Sequence, residues 1–201
     1  HYPLRRQRQM CIRDSSLTLA KRFSKKELWS KKNNKFYRWG AGILNTGQIP
    51  YKAELVGILG EMAFSKMSGL PIDSEYKKRG NSHDFKTKIK PTLRNVNIEV
   101  KTRLKDFGDV YVKRYDENGN IISLKSDIYV FCHLQTSWNE IEEKITNEET
   151  MKPILISIDG VISKKRLKTK PIQDAFNGSH KNIVFPIEGL ANINELIKLI
   201  R

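Results

Sequence analysis

Arg94-Asn95-Val96-Asn97-Ile98-Glu99-Val100-Lys101-Thr102 decides how this chain is read. Successive side chains of an extended segment point to opposite faces, so residues two apart share a face. Val96, Ile98 and Val100 therefore point toward a core, and Asn97, Glu99 and Lys101 toward a cleft. Asp84 stands fifteen positions before Glu99, preceded by His83. Glu-x-Lys occurs three times, at Glu75–Lys77, Glu99–Lys101 and Glu142–Lys144, and only the middle copy lies in an alternating run. Glu75 sits in a polar stretch that ends at Gly80, and Glu142 in an acidic run from Glu140 to Glu149. Taken without its neighbours, Glu99–Lys101 also reads as an exposed strand face with an ion pair worth about 0.2–1 kcal/mol.

The order of the surrounding parts favours a site. Lys52 to Gly69 has Leu55, Ile58, Leu59, Met62 and Ala63 at helical spacing, with Gly69 as its stop. Glu61 stands beside that apolar stripe. Gly57 and Gly60 each cost roughly 1 kcal/mol of helix propensity relative to Ala, so they mark either a close approach of another backbone or a tolerated weakness. A polar link follows, then His83-Asp84-Phe85, then the strand of Glu99.

A helix with Glu, a strand with Asp and a strand with Glu-x-Lys resembles the PD-(D/E)xK nuclease superfamily, which includes many restriction endonucleases and junction resolvases. The resemblance covers about Lys52 to Leu134, and more loosely the segment to Ser163. It implies that Asp84 is the metal-binding aspartate, Glu99 the second metal-binding acid, Lys101 the catalytic lysine and Glu61 the helix glutamate of part of the superfamily. His83 stands where many members have proline. The fold implied is α/β and restriction endonuclease-like, with a mixed central sheet of four or five strands, helix 52–68 packed across it, and flanking helices. The cofactor implied is Mg²⁺, with Mn²⁺ as a substitute.

The chemistry gives each residue type a reason. Phosphodiester hydrolysis needs anionic charge neutralised and a water made nucleophilic, and divalent ions do both. Mg²⁺ takes oxygen ligands from one or two carboxylates plus substrate phosphates. Asp84 and Glu99 supply carboxylates, with the Val100 carbonyl as a third oxygen. Lys101 would orient the attacking water and stabilise charge in the transition state.

The 201 residues suffice for one sizeable core or two small ones. At 38% hydrophobic and 29% charged the composition is that of a globular protein, and no apolar stretch approaches the ~20 residues that cross a bilayer. The formal charge of +15 favours a polyanionic partner, usually nucleic acid, although ribosomal proteins and membrane-surface binders share such a balance. Residues 1–15, with Gln9-Met10-Cys11-Ile12-Arg13-Asp14-Ser15, read as a non-native leader, adapter-derived or a scar, against the rival reading of a natural basic arm. Without their four Arg and one Asp the charge is still +12. Residues 16–201 are then a single nuclease domain with a basic aromatic region at 16–50. One cysteine remains there, Cys132 in an apolar run, which fits core filling and a reducing cytoplasm.

Along region 16–50, Lys25, Lys26, Lys31, Lys32 and Arg38 are interleaved with Phe23, Trp29, Phe36, Tyr37 and Trp39. This mixture either grips phosphates and stacks on bases, or is a solvated helix whose aromatics close the core. Ser24 and Glu27 form a capping-box pattern. A second basic cluster, Lys164, Lys165, Arg166, Lys168 and Lys170, is read as holding a duplex backbone or as a solvated surface. After Lys101, Asp109–Tyr115 reads as a strand, Asn118-Gly119 as a hairpin turn and Ile121–Leu124 as its return. Asp127–Leu134 and Pro153–Ile158 read as strands buried on both sides, as when helices cover a sheet. Trp138–Met151 reads as an acidic helix, and Asn192 with Glu195 caps a closing helix whose stripe is Ile193, Leu196, Ile197 and Ile200. Asp127 is read as a turn residue, and His83, His133 and His180 as structural. No Gly-rich phosphate loop occurs.

The expectation is a Mg²⁺-dependent endonuclease cutting duplex DNA, restriction-type or phage-encoded, with a homodimer as the arrangement that would cut both strands. Alternatives are a structure-selective nuclease for junctions or flaps and a non-catalytic basic nucleic-acid-binding protein, in which Asp84, Glu99 and Lys101 form surface ion pairs. Recognition sequence and the choice between DNA and RNA are open.

Overall fold

The computed structural model describes residues 8–12, 52–72, 83–104, 109–115, 119–146, 153–175 and 180–200. The strands are β1 (Arg8–Ile12), β2 (Phe85–Ile89), β3 (Arg94–Arg103), β4 (Asp109–Lys113), β5 (Ile128–Leu134), β6 (Ile154–Ser163), β7 (Ile172–Ala175) and β8 (His180–Pro186). The helices are α1 (Lys52–Ser68), α2 (Trp138–Thr146), the single turn α3 (Lys164–Leu167) and α4 (Ile193–Ile200). Region 16–50, with its basic and aromatic residues and the Ser24–Glu27 pattern, lies outside the described residues.

A mixed sheet of four strands, ordered β6-β5-β3-β2, forms the centre, and the backbone of β1 adds antiparallel to β6. Its one parallel pair is β3–β5, with Glu99 opposite Tyr129 and Arg103 opposite His133. β2–β3 and β5–β6 are antiparallel. The strand of Glu99 is thus internal, flanked on both sides by neighbours that fix its register.

The alternation read from the sequence sorts β3 between two layers. Val96, Ile98 and Val100 enter a core shared with Leu55, Leu59 and Phe64 of α1 and with Leu196 and Ile197 of α4. Phe64 meets Phe85 edge to face at 5.1 Å, which pins α1 over the β2–β3 pair. α1 spans the residues its stripe predicts and ends at Gly69, whose φ of 78° and N–H bond to the Ser65 carbonyl close the last turn. α4 likewise starts where expected, with the Asn192 side chain accepting from the Asn194 N–H at 2.9 Å.

The other face of the sheet differs from expectation. A second core, containing Tyr129, Phe131, Ile162, Val112, Ile183 and Phe185, lies between β5–β6 and a small antiparallel sheet ordered β4-β8-β7. β5 is apolar along nearly its whole length because it is buried on both sides, but one of the covers is a sheet and not a helical layer. The predicted return strand Ile121–Leu124 is reduced to a single bridge between Tyr115 and Ile121, and β4 pairs instead with β8. The turn signal still acts, since Gly119 has a φ of 78° and the Ile122 N–H donates to the Arg114 carbonyl. Leu124, at 4% exposure, drops into the second core, so its burial comes from packing without strand pairing.

β6 runs to Ser163, five residues beyond the predicted end, through an irregularity at Asp159-Gly160. A Cβ at Gly160 would meet the Ala191 carbonyl at 2.5 Å, and its φ of 154° suits only glycine, so this position lets the chain before α4 bridge to Val161. α2 carries a capping box the sequence reading did not use: Ser137 N–H and Oγ both donate to the Glu140 carboxylate, at 2.9 and 2.8 Å.

Of the two glycines that weaken α1, one has a structural reason. A Cβ on Gly60 would collide with the Thr102 side chain of β3, whereas one on Gly57 would meet nothing within 4 Å. Helix and sheet approach closely here, at Gly60 one residue from Glu61 and at Thr102 three residues from Glu99. Gly57→Ala should therefore raise stability by about 0.5–1 kcal/mol through helix propensity. Gly60→Ala should lower it, because overpacking costs about 1–3 kcal/mol and outweighs the same gain. Urea midpoints of the two variants check this; equal shifts in the same direction would contradict the close approach.

Candidate functional site

The residues of interest meet where β2 begins. The Asp84 N–H donates to the Ile98 carbonyl at 3.0 Å, and its Oδ2 accepts the Val100 N–H at 2.6 Å. Backbone groups two apart on a strand point to the same side, so Ile98 and Val100 both address the β2 edge. β2 starts only at Phe85, and the Asp84 side chain takes over the ladder position its backbone vacates. Asp84 is thus held astride Glu99, its backbone N–H bonded to Ile98 and its carboxylate to Val100. It also leaves the Val100 carbonyl directed toward the same edge, beyond the end of β2.

Glu99 and Lys101 lie on the face away from α1. Their side chains are 23% and 45% exposed and form a direct ion pair through Glu99 Oε1. Glu99 Oε2 accepts from Ser126 Oγ at 3.3 Å. Ser126 is fully buried in the segment leading into β5, and the sequence reading did not single it out. Only the parallel β3–β5 pairing brings it beside Glu99. The same pairing sets Tyr129 across from Glu99, buried in the second core. Burial, and next the Glu99 charge, push the Tyr129 phenol up to about 12, with a Ser126 backbone hydrogen bond and Arg114 opposing.

Glu61 belongs to α1, which covers the opposite face of β3. Among the described residues no group of three or more His, Cys, Asp and Glu is gathered so as to hold a metal ion. Two carboxylates with a neighbouring carbonyl are nevertheless the kind of hard oxygen set that Mg²⁺ or Mn²⁺ uses when substrate phosphate and water complete the shell.

Asp127, which the sequence reads as a turn residue, ties the start of β5 to β3 and to α3. Its N–H donates to the Asn97 carbonyl at 2.8 Å, its Oδ2 accepts the Asn97 N–H at 3.0 Å, and its carbonyl accepts from the Lys164 N–H at 2.7 Å. Lys164, Lys165 and Arg166 lie in α3 and Lys168 at its end, and Ser163 Oγ caps its start by accepting the Arg166 N–H at 3.3 Å. They stand beside the start of β3 and not beside Lys101. Lys25, Lys26, Lys31, Lys32 and Arg38 lie outside the described residues.

Further along the Glu99 face, Arg103, His133 and Asp159 make a row across three strands. His133 Nδ1 lies 2.5 Å from Asp159 Oδ1, and Arg103 reaches Asp159 Oδ2 at 3.1 Å and the Asp109 carbonyl at 2.7 Å. His133 thus has a structural partner, as expected, but one supplied by the β6 irregularity. Burial, and next the Asp159 charge, push the Cys132 thiol up, which makes it core filling and no nucleophile. Among the described residues no helix is long and apolar enough to cross a membrane.

Comparison with protein-family models, with curated proteins and with solved structures found no match.

The phenol of Tyr129 reports on the site without any substrate. Its folded pKa lies above the value of 10.0 for an unperturbed tyrosine, so its contribution to stability is full below pH 10 and is lost as pH rises through about 12. Unfolding free energy should fall across that window, and Tyr129→Phe should flatten the fall. Glu99→Gln should move the Tyr129 titration, followed by phenolate absorbance, downward. An unchanged titration would show that the Glu99 charge does not face this ring.

Proposed function

We propose that the chain is a divalent-metal-dependent endonuclease of the restriction endonuclease-like kind, acting on phosphodiesters of duplex DNA. The observation that carries the reading is the Asp84 carboxylate seated on the Val100 N–H astride Glu99, with Lys101 paired to Glu99 on the open face. The order of elements supports it: a helix, an antiparallel pair carrying Asp84 and Glu99-x-Lys101, then a strand parallel to the second of that pair. The net charge of +15 supports a polyanionic substrate.

In this reading Asp84, Glu99 and the Val100 carbonyl hold Mg²⁺ or Mn²⁺, which supplies Lewis-acid activation of the phosphate and of a water. The Asp84 carboxylate would take this role while Oδ2 stays on the Val100 N–H, so the backbone bond orients the ligand. Glu99 is oriented by Ser126 in the same way. Lys101 exchanges its partner: its ammonium balances Glu99 in the free protein and turns to a phosphate oxygen or to the attacking water when substrate arrives. At 45% exposure that ammonium moves without breaking a buried contact. Glu61, on the other side of β3, has no part in the ligand set.

A second reading keeps the nucleic acid and drops the chemistry. It draws on Glu99 having both oxygens engaged, by Lys101 and by Ser126, as in a settled surface ion pair.

Cleavage separates the two. Plasmid and linear duplex should be cut with Mg²⁺ or Mn²⁺ and left intact with EDTA. Lys101→Ala should lower the cutting rate by about 10²–10³-fold, the cost of removing one charge-stabilising donor. Its thermal stability should barely move, because an exposed ion pair is worth about 0.2–1 kcal/mol. Undiminished cutting by Lys101→Ala, or binding without cutting across metals and substrates, would favour the second reading.

A further inference from the structure

A groove of about 450 Å³ opens at the end of the sheet where β3 begins. Arg94, Lys164, Lys165 and Lys168 line it, and the one carboxylate among its lining residues is Asp127. That carboxylate is already engaged, with Oδ2 on the Asn97 N–H at 3.0 Å and Oδ1 3.8 Å from the Arg94 guanidinium. Four cations against one carboxylate leave three positive charges around a small concavity. Its floor is apolar, from Ile89, Val96 and Ile128.

Cations held this close repel one another, and the sequence places three of them within one turn and a half of chain. Such a site gains when an anion enters. Arg94 brings a planar fork suited to phosphate oxygens, the lysines bring point charges, and an apolar floor suits sugar carbons between phosphates.

The groove is connected to the candidate site. Asp127, on its wall, follows Ser126, whose hydroxyl donates to Glu99. Arg94 lies five residues before Glu99 on the same strand, about 16 Å at ~3.3 Å per residue, and this odd separation puts it on the face of Val96, opposite to that of Glu99.

Resting on the nuclease reading, we propose that this groove is a second subsite, which holds backbone phosphates of the same nucleic acid at the end of the sheet, outside the cleft of Glu99 and Lys101. Arg94, Lys165 and Lys168 make the contacts, and Asp127 positions Arg94. The contacts are to the backbone, so the subsite adds affinity and register but no base preference.

The test measures duplex binding in Ca²⁺ and cleavage in Mg²⁺ for the full chain, for Lys165→Gln/Lys168→Gln, and for Arg94→Gln. A charge-matched control, Lys113→Gln/Lys198→Gln, removes two exposed lysines elsewhere. Each phosphate contact contributes about 0.9 to the slope of log affinity against log salt, so the lysine pair should reduce the slope by about two and Arg94→Gln by about one. Cleavage at saturating DNA should stay at the wild-type rate while half-saturation shifts to higher DNA. Circular dichroism and melting of each variant establish that it is folded.

Slopes equal to those of the control pair, in folded variants of a protein that cuts DNA, would overturn the subsite and leave the nuclease reading intact. A wild-type chain that neither binds nor cuts any duplex would overturn both. Capture on vesicles containing phosphatidylserine, lost in the groove variants while DNA binding is unchanged, would assign the groove to a membrane surface and overturn the proposal.

Discussion

The hydrogen bond from the Val100 N–H to the Asp84 carboxylate is the contact on which the rest of the site depends. A strand that ends beside a longer partner leaves an unpaired donor, and an unpaired donor away from water costs about 1–3 kcal/mol. Asp84 answers that demand with a side chain in place of a backbone. The result is a carboxylate whose position is set by the sheet ladder and not by a loop. Glu99 is set by the same strand, since the residues on either side of it are the two that bond Asp84. Geometry of this kind places two negative groups together at little conformational cost, because the strands that hold them are already ordered for another reason.

Those strands are ordered by the two layers that clamp them. α1 approaches β3 at Gly60 against Thr102, and the apolar residues of α1 fill one face. The small β4-β8-β7 sheet fills the other, over Tyr129 and Phe131. The second layer covers β5 and β6, and Glu99 and Lys101 stay partly open at its margin. Tyr129 and Ser126 sit at that margin, where a buried ring and a buried hydroxyl border a charged pair. The row Arg103, His133 and Asp159 closes the same face further along and ties β3, β5 and β6 together through fully buried Asp159.

How much of this was legible follows from the kind of signal each part carries. α1, β3 and α4 were legible because their apolar residues recur at the period of the element and the two helices carry glycine or asparagine at an end. β5 was legible as a buried strand from its continuous apolar run, although the run does not say what covers it. The small sheet was hidden for a topological reason. β4 pairs with β8 far downstream, while a strong local turn at Asn118-Gly119 pointed to a nearer partner that forms only one bridge. In the site, Glu99 and Lys101 were legible by their spacing. Ser126, Tyr129 and the His133–Asp159 pair were not, because a parallel neighbour and a strand irregularity bring them in, and neither leaves a local pattern. Glu61 was read onto the site from the resemblance alone, and its helix packs on the face of β3 away from Glu99.

Manganese line broadening in NMR spectra tests most directly the claim that Asp84 and Glu99 form one cation site. Substoichiometric Mn²⁺ added to the ¹⁵N-labelled chain should broaden the amides of Val100 and Lys101 first, and the effect should vanish in Asp84→Asn, whose side chain still accepts the Val100 N–H. Broadening centred elsewhere, or equal in wild type and Asp84→Asn, would contradict it.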